Sequence, residues 1–327
     1  MFSENYDISV TTEPQDMESV LNLFGDCFCL KPHLEVEGVN YKLLRHLTEG
    51  GFSSIDLVEN TRTGKVFVVK RITCHSIEDQ NVARNEIEMN KKFKNHPNII
   101  TVIGATMTGT ADIVHNITSE VLIVFPFYKM GSLHDELEGR RQTENPLLPS
   151  SLLSMFHSIC LAVQELHQSD PPIAHRDIKP HNVLLDSTFT PVLMDFGSCA
   201  PARVKVTSLR EAQYLQDTAA ERCSMCYRPP ELFQVSSSCE IDERTDIWSL
   251  GCLLYAMMFY SSPYDLIYER GDSVALAVQS GKISFPPTRY PPDLLQLVTE
   301  MTNIDINFRI NIGSVLEKVE AMMDTKC

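Results

Sequence analysis

Two polar strings constrain this chain more than anything else in it. His175-Arg176-Asp177-Ile178-Lys179-Pro180-His181-Asn182 is followed, across a short apolar stretch, by Asp195-Phe196-Gly197. Either string alone could be a chance loop. In this order and at this distance they are specific. Together they bring two carboxylates, an ammonium and an amide to the two sides of one short strand, and only a fold that presents both loops to one place can use them.

The chemistry of that set is readable. An aspartate can orient a hydroxyl, and an Asn with a second Asp offers the hard oxygen ligands that suit Mg²⁺. Phosphoryl transfer asks little more of a protein than positioned metal, neutralised charge and an oriented nucleophile. The rest of the composition fits a globular protein. Of 327 residues 43% are hydrophobic and 22% charged, which is ordinary, and the length exceeds what one core usually spans, so two lobes are expected. The net charge of −15 repels a phosphate backbone, so nucleic acid is not an expected partner.

The 10 cysteines form no spaced framework, and several, such as Cys160 and Cys252, sit in apolar runs. They read as reduced cysteine used as a small hydrophobe. Cys223-x-x-Cys226 could be half a zinc site or a redox pair but has no second pair at metal spacing. The first 30 or so residues lack Lys and Arg and carry Glu4, Asp7, Glu13, Asp16, Glu18 and Asp26, which fits neither a secretory nor a mitochondrial leader. The apolar run Ile247–Phe259 is too short to span a bilayer. A cytoplasmic protein, free or attached to the cytosolic face of a membrane, is the expectation.

From Tyr41 the texture turns β-like. Leu43, Leu44 and Leu47 suggest a first strand, Ser54–Glu59 a second, and the β-branched run Val66–Ile72 a third. Ser76 with Asp79 is a capping-box pattern, and Val82, Glu86, Met89 and Phe93 recur at helical spacing. Ile99–Gly104 and Val121–Tyr128 look like strands around a polar loop, Thr108–Glu120, which holds the sequon Asn116-Ile117-Thr118. After Gly131 the pattern is helical: Leu152, Phe156, Ile159, Val163 and Leu166 form a stripe, and Ile247–Phe259 is apolar all round, as a central buried helix would be. Ser208 with Glu211, then Leu209, Ala212, Leu215 and Ala219, predict a helix over 208–221.

These motifs resemble the protein kinases. The resemblance implies an α+β, two-lobed fold, the first lobe an antiparallel sheet with one helix and the second mainly helical. It implies a tail over 1–37, a first lobe and hinge over 38–128, a second lobe over 129–322 and a short tail over 323–327. Phe67-Val68-Val69-Lys70 matches the lysine strand, which makes Lys70 the contact to the α- and β-phosphates of ATP. Glu86 lies on the helical stripe, where a carboxylate is costly unless paired, and Lys70 is the partner the pattern names. By the same resemblance Asp177 is the catalytic aspartate, Lys179 neutralises the transferring phosphate, Asn182 and Asp195 hold Mg²⁺ (Mn²⁺ as an alternative), and Ser224 bonds Asp177 and Lys179. Leu47-Thr48-Glu49-Gly50-Gly51-Phe52-Ser53-Ser54-Ile55 stands for the phosphate-covering loop with Thr48 and Ser53 in place of two glycines; alone it reads as a turn. Phe125-Pro126-Phe127-Tyr128 stands for the hinge, with Phe125 the gatekeeper, the Pro126 carbonyl and the Tyr128 N–H facing adenine, Val68 its roof and Leu184 its floor. Pro229-Pro230-Glu231 implies an ion pair from Glu231 to Arg309. Lys179 marks a serine/threonine kinase, with Ser/Thr-bearing proteins as substrates. Asn90 departs from the pattern, which usually has an apolar residue there.

Within the kinases, Thr48–Ser53, Pro191–Ser198 and the helical segment after Asp195 are similar to the Numb-associated kinase family. Cys239–Asp246 and Gly271–Gln279 are similar to a lipid-anchored member of it, which implies a peripheral place on Golgi or other cytosolic membranes. Phe2 excludes N-myristoylation of the chain as written, so Cys27 and Cys29 are the acylation candidates. The rival reading is a pseudokinase or scaffold at membranes, and oligomeric state is not legible.

Overall fold

The computed structural model describes residues 33–50, 53–112, 115 and 117–324. Gly51 and Phe52 of the phosphate-covering loop, Asn116 of the sequon, and Cys27 and Cys29 lie outside the described residues.

The first lobe is an antiparallel sheet, β1 (His33–Val36), β2 (Val39–Glu49), β3 (Ser53–Asn60) and β4 (Val66–Cys74), then helix α1 (Ile77–Lys92), β5 (Gly104–Thr108) and β6 (Ser119–Pro126), in the order β1-β2-β3-β4-β6-β5. The sheet thus begins inside the segment expected as tail. A tight hairpin through Glu37 and Gly38, both at positive φ (50° and 73°), pairs Val36 with Val39. β2 carries register shifts between Leu43 and Arg45 and between His46 and Thr48, so strict alternation fails there and Leu47 comes to face the cleft between the lobes.

Helix α1 starts as its sequence says. Ser76 accepts the Asp79 N–H and Asp79 accepts the Ser76 N–H, both bonds of the capping box. Its buried line is Gln80, Ala83, Glu86 and Asn90, continued by Phe93 at the C-cap; of the stripe read in the sequence Glu86 and Phe93 are buried, while Val82 and Met89 only flank the line. The strand expected over Ile99–Gly104 is also displaced. Ile99 and Ile100 are buried and bond to Leu193 of the second lobe instead, and the strand runs over Gly104–Thr108. β6 ends at Pro126 rather than Tyr128, and its ladder with β4 ends at the Phe67–Pro126 pair.

The second lobe contains α2 (Leu133–Gln142), α3 (Pro149–His167), β7 (Ile173–Ala174), β8 (Val183–Leu185), β9 (Pro191–Leu193), β10 (Ala200–Pro201), β11 (Val204–Val206), α4 (Leu209–Arg222), α5 (Pro230–Phe233), β12 (Cys239–Ile241), α6 (Arg244–Phe259), α7 (Asp265–Glu269), α8 (Val274–Gln279), α9 (Pro292–Met301) and α10 (Ile312–Asp324). The α3 stripe of Leu152, Phe156, Ile159, Val163 and Leu166 is buried, and α6 is buried on every side from Thr245 to Met258. Gly251 lets α6 meet α9: a Cβ there would stand 2.7 Å from Thr302 Cγ2 and 3.0 Å from Met301 Cβ. The architecture is the two-lobed α+β fold expected from the motifs. Helix α10 extends past residue 322, where a tail was expected.

Candidate active site

The loop that carries Asp177 is held from below. Asp246, fully buried near the start of α6, accepts the backbone N–H of His175 at 2.7 Å and of Arg176 at 2.8 Å, and meets His167 Nε2 at 2.9 Å. Burial works against its charge, but the His167 hydrogen bond and nearby charges hold its carboxyl below the usual range. These bonds fix Arg176 at a positive φ of 66°, which turns the next residue, Asp177, toward the cleft. His175 completes the frame. Its Nε2 lies 3.1 Å from the Met194 carbonyl, just before Asp195, and its Nδ1 faces the Asp177 N–H at 3.3 Å.

Three donors hold Asp177 and leave Oδ1 with room for a further one. Oδ1 accepts the Ser224 N–H at 2.8 Å, while Oδ2 accepts Asn182 Nδ2 at 2.9 Å and faces Lys179 Nζ at 3.0 Å. Lys179 also donates to Ser224 Oγ at 2.6 Å. Ser224 therefore touches Asp177 through its backbone and Lys179 through its hydroxyl. Asn182 uses its amide nitrogen on Asp177 Oδ2 and on the Asp177 carbonyl at 2.8 Å, which leaves its amide oxygen as an acceptor.

Across the cleft, Lys70 donates to both Glu86 oxygens at 2.8 and 2.9 Å and to Asp195 Oδ1 at 3.0 Å. Burial disfavours all three charges, yet Lys70 is held above the ordinary lysine range because Glu86 and Asp195 face it. The Lys70 ammonium in turn holds the Asp195 carboxyl below its usual value. Asp195 adopts a positive φ of 64°. Its remaining oxygen and the Asn182 amide oxygen are hard donors of the kind Mg²⁺ takes, and two protein ligands are what such an ion usually has when phosphates supply others. The residues present fit the ion.

The cleft itself has a volume of about 470 Å³. Of the residues the sequence singled out, Leu47, Thr48, Ser53, Ile55, Val68, Lys70, Glu86, Phe125, Pro126, Phe127, Tyr128, Leu184 and Asp195 line it. Val68 and Phe125 are cross-strand partners, so roof and gatekeeper positions adjoin. Glu49 and Gly50 do not line it: Glu49 pairs with Ser54, and the Gly50 N–H closes a turn onto the Ser53 carbonyl at 2.7 Å. Asp177 opens instead onto an adjoining cavity of about 250 Å³ that shares Ser53, Lys70, Glu86 and Asp195 with the cleft.

Sequence reasoning missed Gly131, Ser132, Asp135 and Met194 in the cleft wall. The Ser132-x-x-Asp135 spacing was a signal, since it forms a capping box that starts α2. Gly131, at φ 76°, is required there: a Cβ would lie 2.7 Å from Asp135 Oδ2.

The segment after Asp195 is rigidly built. Ser208 caps α4 by accepting the Glu211 N–H, but Glu211 reaches Thr207 rather than closing a box on Ser208. Glu231 and Arg309 form a two-pronged ion pair at 2.8 and 2.9 Å, with Arg309 over the Trp248 ring. Burial pushes the Cys223 thiol up to about 12, and burial with Asp265 does the same to Cys226.

Residues 41–319 match the family described as the protein kinase domain. The chain is 41% identical over 297 residues to serine/threonine-protein kinase 16 of Homo sapiens, covering 90% of this chain and 94% of that one. It is 40% identical to the Mus musculus protein of the same name over the same spans. A probable serine/threonine-protein kinase of Dictyostelium discoideum is 31% identical over 367 residues, 91% of this chain and 98% of the relative.

Proposed function

This chain belongs to the protein kinase family, and we propose that its cleft binds ATP with Mg²⁺ and passes the γ-phosphate to a hydroxyl held at Asp177. Serine/threonine protein kinase activity follows from the family and the relatives; the roles of individual residues are our reading. The observation that carries it is the pair of facing clusters, Lys70–Glu86–Asp195 above and Asp177–Asn182–Lys179–Ser224 below.

In this reading the apolar wall of Leu47, Ile55, Val68 and Leu184 holds the adenine, with Pro126 and Tyr128 at its edge. Thr48 and Ser53, which line the cleft, flank the phosphates. Lys70, fixed by Glu86, places the α- and β-phosphates. Mg²⁺ bound by Asn182 and Asp195 would neutralise charge on the phosphate chain. Asp177 orients the substrate hydroxyl and accepts its proton as the oxygen attacks phosphorus, and Lys179 offsets the charge on the moving phosphoryl group. Asp177→Asn keeps the size of the side chain and removes the base. Turnover on a serine peptide should fall by about 10²-fold or more while ATP-dependent thermal stabilisation persists; unchanged turnover would remove Asp177 from this role.

The finer assignments rest on residue resemblance: membership of the Numb-associated kinase family, lobes divided near 128 and 129, and a role at Golgi or other cytosolic membranes. Among the described residues no helix is long and apolar enough to cross a membrane. In our reading acyl groups on Cys27 and Cys29 attach the chain to the membrane, and two chains are what stable anchoring requires. Metabolic labelling with a palmitate analogue should mark the wild type and miss Cys27→Ser/Cys29→Ser, and equal labelling of both would end this part of the reading.

A further inference from the structure

Arg222 ends α4, two residues before Ser224, and its backbone is clamped to the Asp195 loop: the Ser198 hydroxyl donates to its carbonyl at 2.9 Å. Its side chain lines the 250 Å³ cavity beside the cleft, together with Lys70, Asp177, Asp195 and Ser198.

Of the other charged residues that line that cavity, all but Glu221 are held by partners of their own. Lys70 serves Glu86 and Asp195. Asp177 is held by Ser224, Asn182 and Lys179, and Asp79 by the backbone at the start of α1. Arg222 differs. Its ion-pair contact among the described residues is Glu221 at 4.0 Å, with the two side chains 34% and 58% exposed, a pairing worth little in water. A guanidinium on rigid backbone, open to a cavity that reaches the reaction centre, is a ready fork for a carboxylate or phosphate.

We infer that Arg222 determines substrate specificity by pairing with an anionic side chain next to the acceptor hydroxyl of the protein substrate. The inference rests on Asp177 being the residue that takes that hydroxyl. Asp177 and Arg222 line the same cavity, so the inference places the residue beside that hydroxyl within reach of the guanidinium. Carboxylate and phosphate would both satisfy the fork, so Asp or Glu and a previously phosphorylated serine are the two sources to separate.

The test uses the full chain and serine peptides in which Asp, Glu, phosphoserine or Ala is placed at each flanking position in turn. The wild type should favour an anion at one position by about tenfold in kcat/KM, a size in keeping with one partly exposed charge-assisted pair. Arg222→Gln should lose that preference, and Arg222→Glu should turn it toward Lys or Arg at the same position. Turnover of the uncharged peptide should stay within about twofold in all three, which also reports that the variants fold. A larger gain with phosphoserine than with Glu would identify phosphate as the favoured source. An active wild type with no anionic preference overturns the inference, as does a preference that survives Arg222→Gln. An equal loss on every peptide with a raised KM for ATP would also overturn it by placing Arg222 on the nucleotide. An inactive wild type would overturn the phosphotransfer reading and this inference together.

Discussion

Asp246 touches no reactant in our account, yet the geometry of the site depends on it. It accepts two consecutive backbone N–H groups and faces a buried histidine, and those bonds hold the strained turn at Arg176. Because its carboxyl is held below the usual range in the folded chain, it contributes stability that is complete above the unfolded value of about 3.9 and is lost as pH falls through the folded one. Asp246→Asn should therefore lower stability at pH 7 by about 2–3 kcal/mol and flatten the fall in denaturation midpoint as pH drops below about 4. A variant with the same acid limb as the wild type would contradict this. The residues that do chemistry were legible in the sequence because their types and spacing are dictated by the reaction. Asp246 entered the sequence reading only through resemblance, at the end of Cys239–Asp246, since a carboxylate that serves backbone amides leaves no spacing rule behind.

Helix α1 shows what element-scale patterns give and withhold. Its capping box was readable and is present, as is the start of α4 at Ser208, because caps are local. Of the stripe read in the sequence, Glu86 and Phe93 are buried, while Ala83 and Asn90 take the places expected for Val82 and Met89. That face is not apolar in the way periodicity assumes: it holds Glu86, paired with Lys70 of the same lobe, and Asn90. The displaced strand at Gly104–Thr108 has a related cause. Ile99 and Ile100 are buried, and the backbone around them pairs with Leu193 of the other lobe, a partner no local pattern announces. Asn90 itself is fully buried; its Nδ2 donates to the Glu86 carbonyl at 2.8 Å, while Oδ1 finds no partner. Replacing it with an apolar residue of similar volume removes the orphaned oxygen. Asn90→Leu should raise stability by about 1 kcal/mol, roughly 2 °C in Tm for a chain of this size, with phosphate transfer unchanged. A lower Tm would mean that a water or another group serves Oδ1.

At the scale of the whole molecule, two lobes meet at one cleft, and each contributes a cluster useless without the other. Lys70 and Glu86 belong to the sheet lobe, while Asp177, Asn182, Lys179 and Ser224 belong to the helical one. Asp195 joins them through its 3.0 Å contact with Lys70. The architecture was legible from the sequence because the strings that carry the chemistry also dictate the scaffold that brings them together. The cavity at Arg222 was not, since it arises from the packing of α4 against the Asp195 loop and no spacing encodes it. The central claim is that Asp195, with Asn182, binds the metal that phosphoryl transfer needs. The most direct test is transfer of phosphate from ATP and Mg²⁺ to serine and threonine peptides by the wild type and by Asp195→Asn, with folding checked by thermal melting. The account predicts transfer by the wild type and a loss of about 10²-fold or more in the variant. Equal transfer by both would contradict it.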